Sequence, residues 1–252
     1  MQRTLILLLT LLALAACSSN KSATQTASPA TSEAMRELQK GEIAMEKEHY
    51  LAAIEHWQKV RDSFTSPELT ALAELKIGDA YYAQEDYISA VASYEDFLKK
   101  HPGHTQTASV MYRLGKSHFA QLLSADRDQT ATRNALATFE QLLKNYPDSI
   151  DPQELNSYIE QCHNRLAANE AYIGRFYLKT KRYTAAISRL ENITNTYPNY
   201  PNLTGVLFDL ARAQKFDGKS DQALATLSLL QQRPVDEDLQ EEINEFREDH
   251  NI

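Results

Sequence analysis

The chain is poor in the residues that make turns and crosslinks. It has 7 glycines, 8 prolines, 2 cysteines and a single tryptophan among 252 residues. So few glycines and prolines argue against the many short strands of a sandwich or barrel, and for helices. Two cysteines, Cys17 and Cys162, are too few for a disulfide framework. Positive charge is in deficit as well: 26 Lys+Arg stand against 34 Asp+Glu, a net charge of −8. That balance disfavours nucleic acid as a partner, because phosphate backbones require a basic face. No apolar run reaches the roughly 20 residues of a membrane-spanning helix. There is no glycine-rich phosphate loop and no nucleophile elbow, and the 7 histidines are scattered. Asp126-Arg127-Asp128 has no third ligand at metal spacing. It reads as a helix start, with Asp128 capping a helix that opens at Gln129 and with Arg127 and Arg133 paired to acids. Cys162-His163 lacks the second half of a zinc site and reads as a buried thiol. The expectation is a protein with no catalytic centre, no metal and no non-covalent cofactor.

What the chain has is a repeat. Gly78, Tyr81, Ala90, Tyr94, Phe97 and Pro102 carry the offsets of a tetratricopeptide unit, two short amphipathic helices joined by a turn at Gln84-Glu85-Asp86. A glycine inside a helix costs about 1 kcal/mol against alanine, so Gly78 implies a close contact, expected at Ala90. Gly41, Ala53 and Trp57 repeat the pattern upstream, with a turn at Glu46-Lys47-Glu48. Gly115 with Ala135, Phe139, Leu142 and Pro147 repeats it downstream, as do Gly174 with Ala186, Leu190, Ile193 and Pro198, and Ala211 with Ala223, Leu227 and Pro234. Gly41, Gly78 and Gly115 are 37 residues apart, and so are Gly174 and Ala211. Gly115 and Gly174 are 59 apart. Eight of the extra residues fall at 122–129 inside the third unit. The other 14 lengthen the helix leading into the fourth, predicted to run from Pro152 to Lys179 with Asp151 as its cap. The predicted fold is therefore all-α, a tetratricopeptide-type right-handed helical solenoid of about five helix pairs, because one pair cannot bury its own apolar face. The acidic stretch from Asp236 to Ile252 is expected to form a polar capping helix.

The N-terminus reads MQRTLILLLTLLALAAC. A positive residue, an apolar run of about a dozen and small residues precede Cys17, as in a signal peptide. Leu14-Ala15-Ala16-Cys17 resembles the bacterial lipobox, against the plainer reading of a signal peptide that happens to precede a cysteine. The lipobox implies a diacylglycerol thioether and an N-acyl chain on Cys17, several chains being needed for a durable anchor. Removal of a leader containing Arg3 would leave a net charge of −9. Ser18 fits sorting to the outer membrane. The expected organisation is a signal peptide over 1–16, the lipidated cysteine and a polar tether over 17–31, three repeats over 32–150, and two repeats with the acidic cap over 151–252.

The aromatic residues carry two readings. Tyr81, Tyr94, Phe139 and Tyr177 occupy repeat core positions. Tyr82, Tyr112 and Phe119 fall where first helices face the concave side. With Asp79 and Lys116 they form a candidate groove for an extended peptide, or else they pack against the adjacent helix.

The segments VMYRLGKSHF and DRDQTATRNALATFEQLLKNYPDS, between Val110 and Ser149, resemble the outer-membrane protein assembly factor BamD family. ANEAYIGRFYLKTKRYTAAISRLENITNTYP, from Ala168 to Pro198, resembles it too. The chain departs from the family at Asp151, where relatives often carry tyrosine, and has a shorter insertion than some. The resemblance implies a lipid-anchored protein on the periplasmic face of the outer membrane of a Gram-negative bacterium. It implies partners: the periplasmic domains of a BamA-like barrel insertase, unfolded outer-membrane β-barrel proteins, and other lipoproteins of the Bam complex. On this basis the N-terminal groove is assigned to unfolded substrate, and the C-terminal half to the insertase. Arg189 matches a family arginine and is expected as an insertase contact, against the plainer reading of a surface arginine pairing with Glu191 or with nothing. A pilotin-like repeat lipoprotein serving a secretin and a cell-division coordinator are the competing readings.

Overall fold

A computed structural model describes residues 29–63 and 66–251. Cys17 and the leader before it lie outside the described residues, as does the tether up to residue 28. Among the described residues there are eleven α-helices and no strand. They are α1 (Pro29–Glu46), α2 (Tyr50–Asp62), α3 (Pro67–Ala83), α4 (Tyr87–Lys100), α5 (Thr107–Phe119), α6 (Thr130–Asn145), α7 (Pro152–Lys179), α8 (Tyr183–Thr196), α9 (Leu203–Phe216), α10 (Ser220–Leu230) and α11 (Glu237–His250). Successive helices pack against each other through α10, with few contacts between more distant ones. This is the signature of a solenoid, and the five expected hairpins are all present. The first helix opens at Pro29, so the last residues assigned to the tether are helical.

Local chemistry sets the boundaries. Ser66, Asp86, Asp151 and Asp236 each accept a backbone N–H from the first turn of the helix that follows. Pro67 and Pro152 open their helices, where the missing N–H costs nothing. Three hairpin turns hold a residue with positive φ at the same repeat position, Glu48, Glu85 and Lys181, and Gly218 takes that place in the fourth. The left-handed residue ends one helix and frees the chain to reverse into the next.

The glycines act as notches. A Cβ on Gly41 would lie 2.2 Å from Nε1 of Trp57, one on Gly78 2.7 Å from the Tyr94 ring, one on Gly115 2.5 Å from the Phe139 ring and one on Gly174 2.8 Å from the Leu190 side chain. The close approach expected at Gly78 is made chiefly to Tyr94, one helical turn beyond Ala90. Ala90 is buried, but the atoms nearest the notch belong to Tyr94 and Ser93. A large residue, not a small one, fills the space the missing side chain leaves.

Between the hairpins the core is a chain of four apolar clusters. Helix α7 serves two of them. Leu155 and Cys162 near its start pack with Phe139 and Leu142, while Ala167, Ala171 and Leu178 pack with α8 and α9. The insertion at 122–129 is tied down by Gln129, only 2% exposed, whose Nε2 donates to the carbonyls of Ser124 and Arg127. Asn169 on α7 donates to the Ala125 carbonyl at 2.6 Å. Helix α6 begins at Thr130, one residue later than expected, and Asp128 accepts the Thr130 N–H at 2.8 Å. Arg133 donates to the Thr130 hydroxyl, and after the Thr130 hydrogen bonds its charge also helps to lower the Asp128 carboxyl. Helix α11 is also less polar than expected: Ile243 and Phe246 are buried, and the Phe246 ring meets those of Phe208 and Phe216 edge-on.

Candidate functional site

Three first helices, α1, α3 and α5, together with Ile150 border a cavity of about 570 Å³. It is lined by Asp79, Tyr82, Tyr112 and Lys116, four of the five predicted groove residues, and by Met45, Tyr94, Arg113 and Ile150 among others. The fifth, Phe119, is not there. Its ring stands 4.9 Å from that of Tyr158 on α7, inside the cluster that holds Phe139. It lies one helical turn beyond Lys116 and three residues past it, so the predicted face ended a turn too late.

Asp79 is fully engaged. It accepts both of its short contacts from Arg113, at 2.6 and 2.7 Å, and the Tyr94 hydroxyl at 2.7 Å. Burial pushes its carboxyl above the ordinary carboxylate range, while Arg113 and Tyr94 oppose that shift. Its role is to brace α3 against α5. Tyr112 donates to Glu154 at the start of α7, which holds its ring at the rim. Tyr82 meets Tyr87 edge-on with centroids 5.4 Å apart.

Lys116 differs from its neighbours. Its Nζ lies 5.8 Å from the Tyr82 ring and 5.4 Å from the Tyr112 ring, between two π faces. Among the described residues no carboxylate lies within ion-pair distance of it. The repeat register explains why. In the first two repeats the residue after the notch glycine pairs with the residue two before the next notch: Glu42 with Lys76, and Asp79 with Arg113 at 2.6 Å. In the fourth the same rule pairs Arg175 with Asp209 at 2.7 Å. Lys116 follows Gly115, but two before Gly174 stands Tyr172, and the long α7 intervenes. The ladder of charge pairs is interrupted there, leaving one cation to the cavity. The offsets are present in the sequence, so Arg113 was within reach of sequence reasoning had the charges been aligned by repeat.

Arg189 sits at the rim of a separate depression on α7 and α8, with Glu170, Ser188, Glu191, Asn192 and Asn195. Its Nη1 donates to Glu170 at 3.1 and 3.2 Å, and the side chain stays 45% exposed. Its partner is thus Glu170 across on α7, neither Glu191 nor nothing as the plainer reading had it. Cys162 is fully buried and unpaired, and burial pushes its thiol up to about 12. Among the described residues no group of three His, Cys, Asp or Glu side chains is placed to hold a metal, and no helix is long and apolar enough to cross a membrane.

Stacked helix hairpins with glycine notches, a bridged inner face and a cavity of tyrosines around a lone lysine define a tetratricopeptide-type scaffold protein. The family follows from the sequence match. Residues 31–228 fit the family model of YfiO, described as an outer membrane lipoprotein, and the chain belongs to that family. Curated relatives are the outer membrane protein assembly factors BamD of Caulobacter vibrioides, 30% identical over 42% of this chain and 35% of that protein, and of Vibrio cholerae, 30% identical over 44% and 46%. The chain thus spans less than half the length of these relatives. Among solved structures it is similar to the TPR2AB domain of yeast Sti1 in complex with an HSP90 peptide, at a TM-score of 0.44 and 13% identity, covering 79% of this chain and 76% of that one. A tetratricopeptide repeat protein from Parabacteroides merdae matches at a TM-score of 0.40, 13% identity and coverage of 87% and 89%.

Proposed function

We propose that the chain is an assembly factor for outer-membrane β-barrel proteins, held on the periplasmic face by acyl chains on Cys17. Its α1–α5 cavity receives an extended, aromatic-bearing segment of an unfolded barrel protein. Its C-terminal half, through Arg189, meets the periplasmic domains of a BamA-like insertase, beside other Bam lipoproteins. The single observation that carries the substrate reading is Lys116, set between Tyr82 and Tyr112 with no carboxylate among the described residues to satisfy it. Aromatic faces supply contact area at low entropic cost, and a cation available at the rim attracts the carboxylate end of a strand. Contacts of this kind hold a chain weakly enough to pass it on.

The test is photocrosslinking in living cells from a reactive residue placed at Tyr82 and, separately, at Phe119. Phe119 faces Tyr158 in the cluster and serves as the internal control. Unfolded barrel precursors are expected at Tyr82 and not at Phe119. Equal capture at both, or none at Tyr82, would overturn the reading. For the insertase contact, Arg189→Glu is expected to reduce co-purification with the insertase while helical content stays unchanged; wild-type co-purification would remove Arg189 from the interface.

A further inference from the structure

A second cavity, of about 630 Å³, opens between the end of α7, the start of α8 and α9. Arg175, Lys179, Lys181 and Arg212 line it, together with Tyr183 and Phe216, whose rings are 5.3 Å apart. One lining carboxylate, Asp209, faces these four cations, touching Arg175 at 2.7 Å and Arg212 at 3.5 Å. Among the described residues Lys179 and Lys181 pair with no acid. The pocket therefore holds an excess of three positive charges, on a chain whose net charge is −8. The groove on α3 and α5 has no such excess beyond Lys116, since Asp79 cancels Arg113.

The repeat register sharpens the contrast. Lys179 and Lys181 stand five and seven residues after Gly174. The same positions after Gly41 are Glu46 and Glu48, and Glu85 holds the second of them after Gly78. The hairpin turn thus accepts either sign of charge, and this repeat alone of the three is basic there. Its left-handed backbone at Lys181, φ 59°, matches that of Glu48, φ 59°, and Glu85, φ 64°. Folding does not require lysine at either place.

We propose that this cavity is a second docking site, for an acidic peptide segment of a partner protein that carries an aromatic side chain among its carboxylates. Carboxylates meet Lys179, Lys181 and the outer edge of Arg212, and the aromatic side chain enters between Tyr183 and Phe216 beside Leu178. The site is separate from the groove proposed for barrel substrates and does not depend on that assignment.

The experiment uses the full chain and a fluorescent peptide of glutamates around one phenylalanine, with a second peptide in which every glutamate is glutamine. Fluorescence anisotropy is expected to show binding of the acidic peptide, weakening as salt is raised, and little binding of the glutamine peptide. The double variant Lys179→Glu, Lys181→Glu installs residues that the first repeat already carries, so its circular dichroism and melting curve are expected to match wild type. Its affinity for the acidic peptide is expected to fall at least about tenfold, as the loss of opposed charges at an interface requires. Lys116→Glu is expected to leave that affinity unchanged, which separates failure of this site from failure of the other. Equal binding of the two peptides, or an unchanged affinity in the double variant, would overturn the proposal. So would retention on phosphatidylglycerol vesicles that the double variant abolishes, with no binding of the acidic peptide, since the basic face would then belong to a lipid surface.

Discussion

Gly41 has the tightest fit of the four helix notches, with the rigid indole of Trp57 where a methyl would go and the indole N–H donating to the Leu38 carbonyl at 3.3 Å. Gly174 faces Cδ2 and Cγ of Leu190, a fully buried branched aliphatic side chain rather than a fused ring. The same substitution should therefore give different results. Gly41→Ala is expected to destabilise by about 1–3 kcal/mol, because overpacking exceeds the roughly 1 kcal/mol that alanine gains in a helix. Gly174→Ala is expected to cost less than Gly41→Ala, since the clash is with a branched aliphatic side chain at 2.8 Å rather than with a fused ring. Chemical denaturation of the two variants side by side checks the contrast. A second residue-scale expectation concerns acid. Lys40 and then His56 hydrogen-bond Glu37 and pull its carboxyl from the ordinary 4.5 down to about 2. The folded form then binds this proton more weakly than the unfolded chain does. Its contribution to stability is complete above about pH 4.5 and is lost as pH falls through about 2. Glu37→Gln is expected to remove that part of the acid slope, as read from denaturation midpoints across the window.

At the scale of helices, much was legible in the sequence and the failures have causes. Proline, aspartate caps and the 37-residue repeat fixed most boundaries, and the long helix runs from Pro152 to Lys179 as its spacing predicted. The polarity of α11 was misjudged because Ile243 and Phe246 form a narrow stripe among acids, and only the neighbouring rings of Phe208 and Phe216 make it a core face. Phe119 was placed in the groove because periodicity alone does not say how far α7 reaches back over α5. Arg113 was passed over because a charge on an inner face looks like any solvated charge until its partner, one repeat away, is aligned with it. The stripe on α11 supplies a prediction: Phe246→Ala is expected to cost about 3 kcal/mol and to expose the end of α9. Faster amide exchange in α9, with exchange in α1–α4 unchanged, would be the sign of it.

For the whole molecule the decisive element is α7, since both the third-repeat cluster and the C-terminal cluster are built on it. A break in that helix should uncouple the two without dissolving either. Asn164→Pro, placed between Cys162 and Ala167, is expected to cost about 3 kcal/mol locally. Denaturation is expected to change from a single transition to two, measured by circular dichroism alongside Trp57 fluorescence, which reports on the N-terminal cluster of α1, α2 and α3. A single unchanged transition would mean that contacts other than an unbroken α7 couple the two halves. The helix also acts as a caliper. Glu154 touches the first cavity through Tyr112, and Lys179 lines the second. The 25 helical steps from one to the other span about 38 Å at roughly 1.5 Å each. A fully stretched polypeptide needs about eleven residues to cover that distance. Any single ligand chain shorter than this has to choose one mouth or the other, so α7 sets a minimum length for whatever is gripped at both.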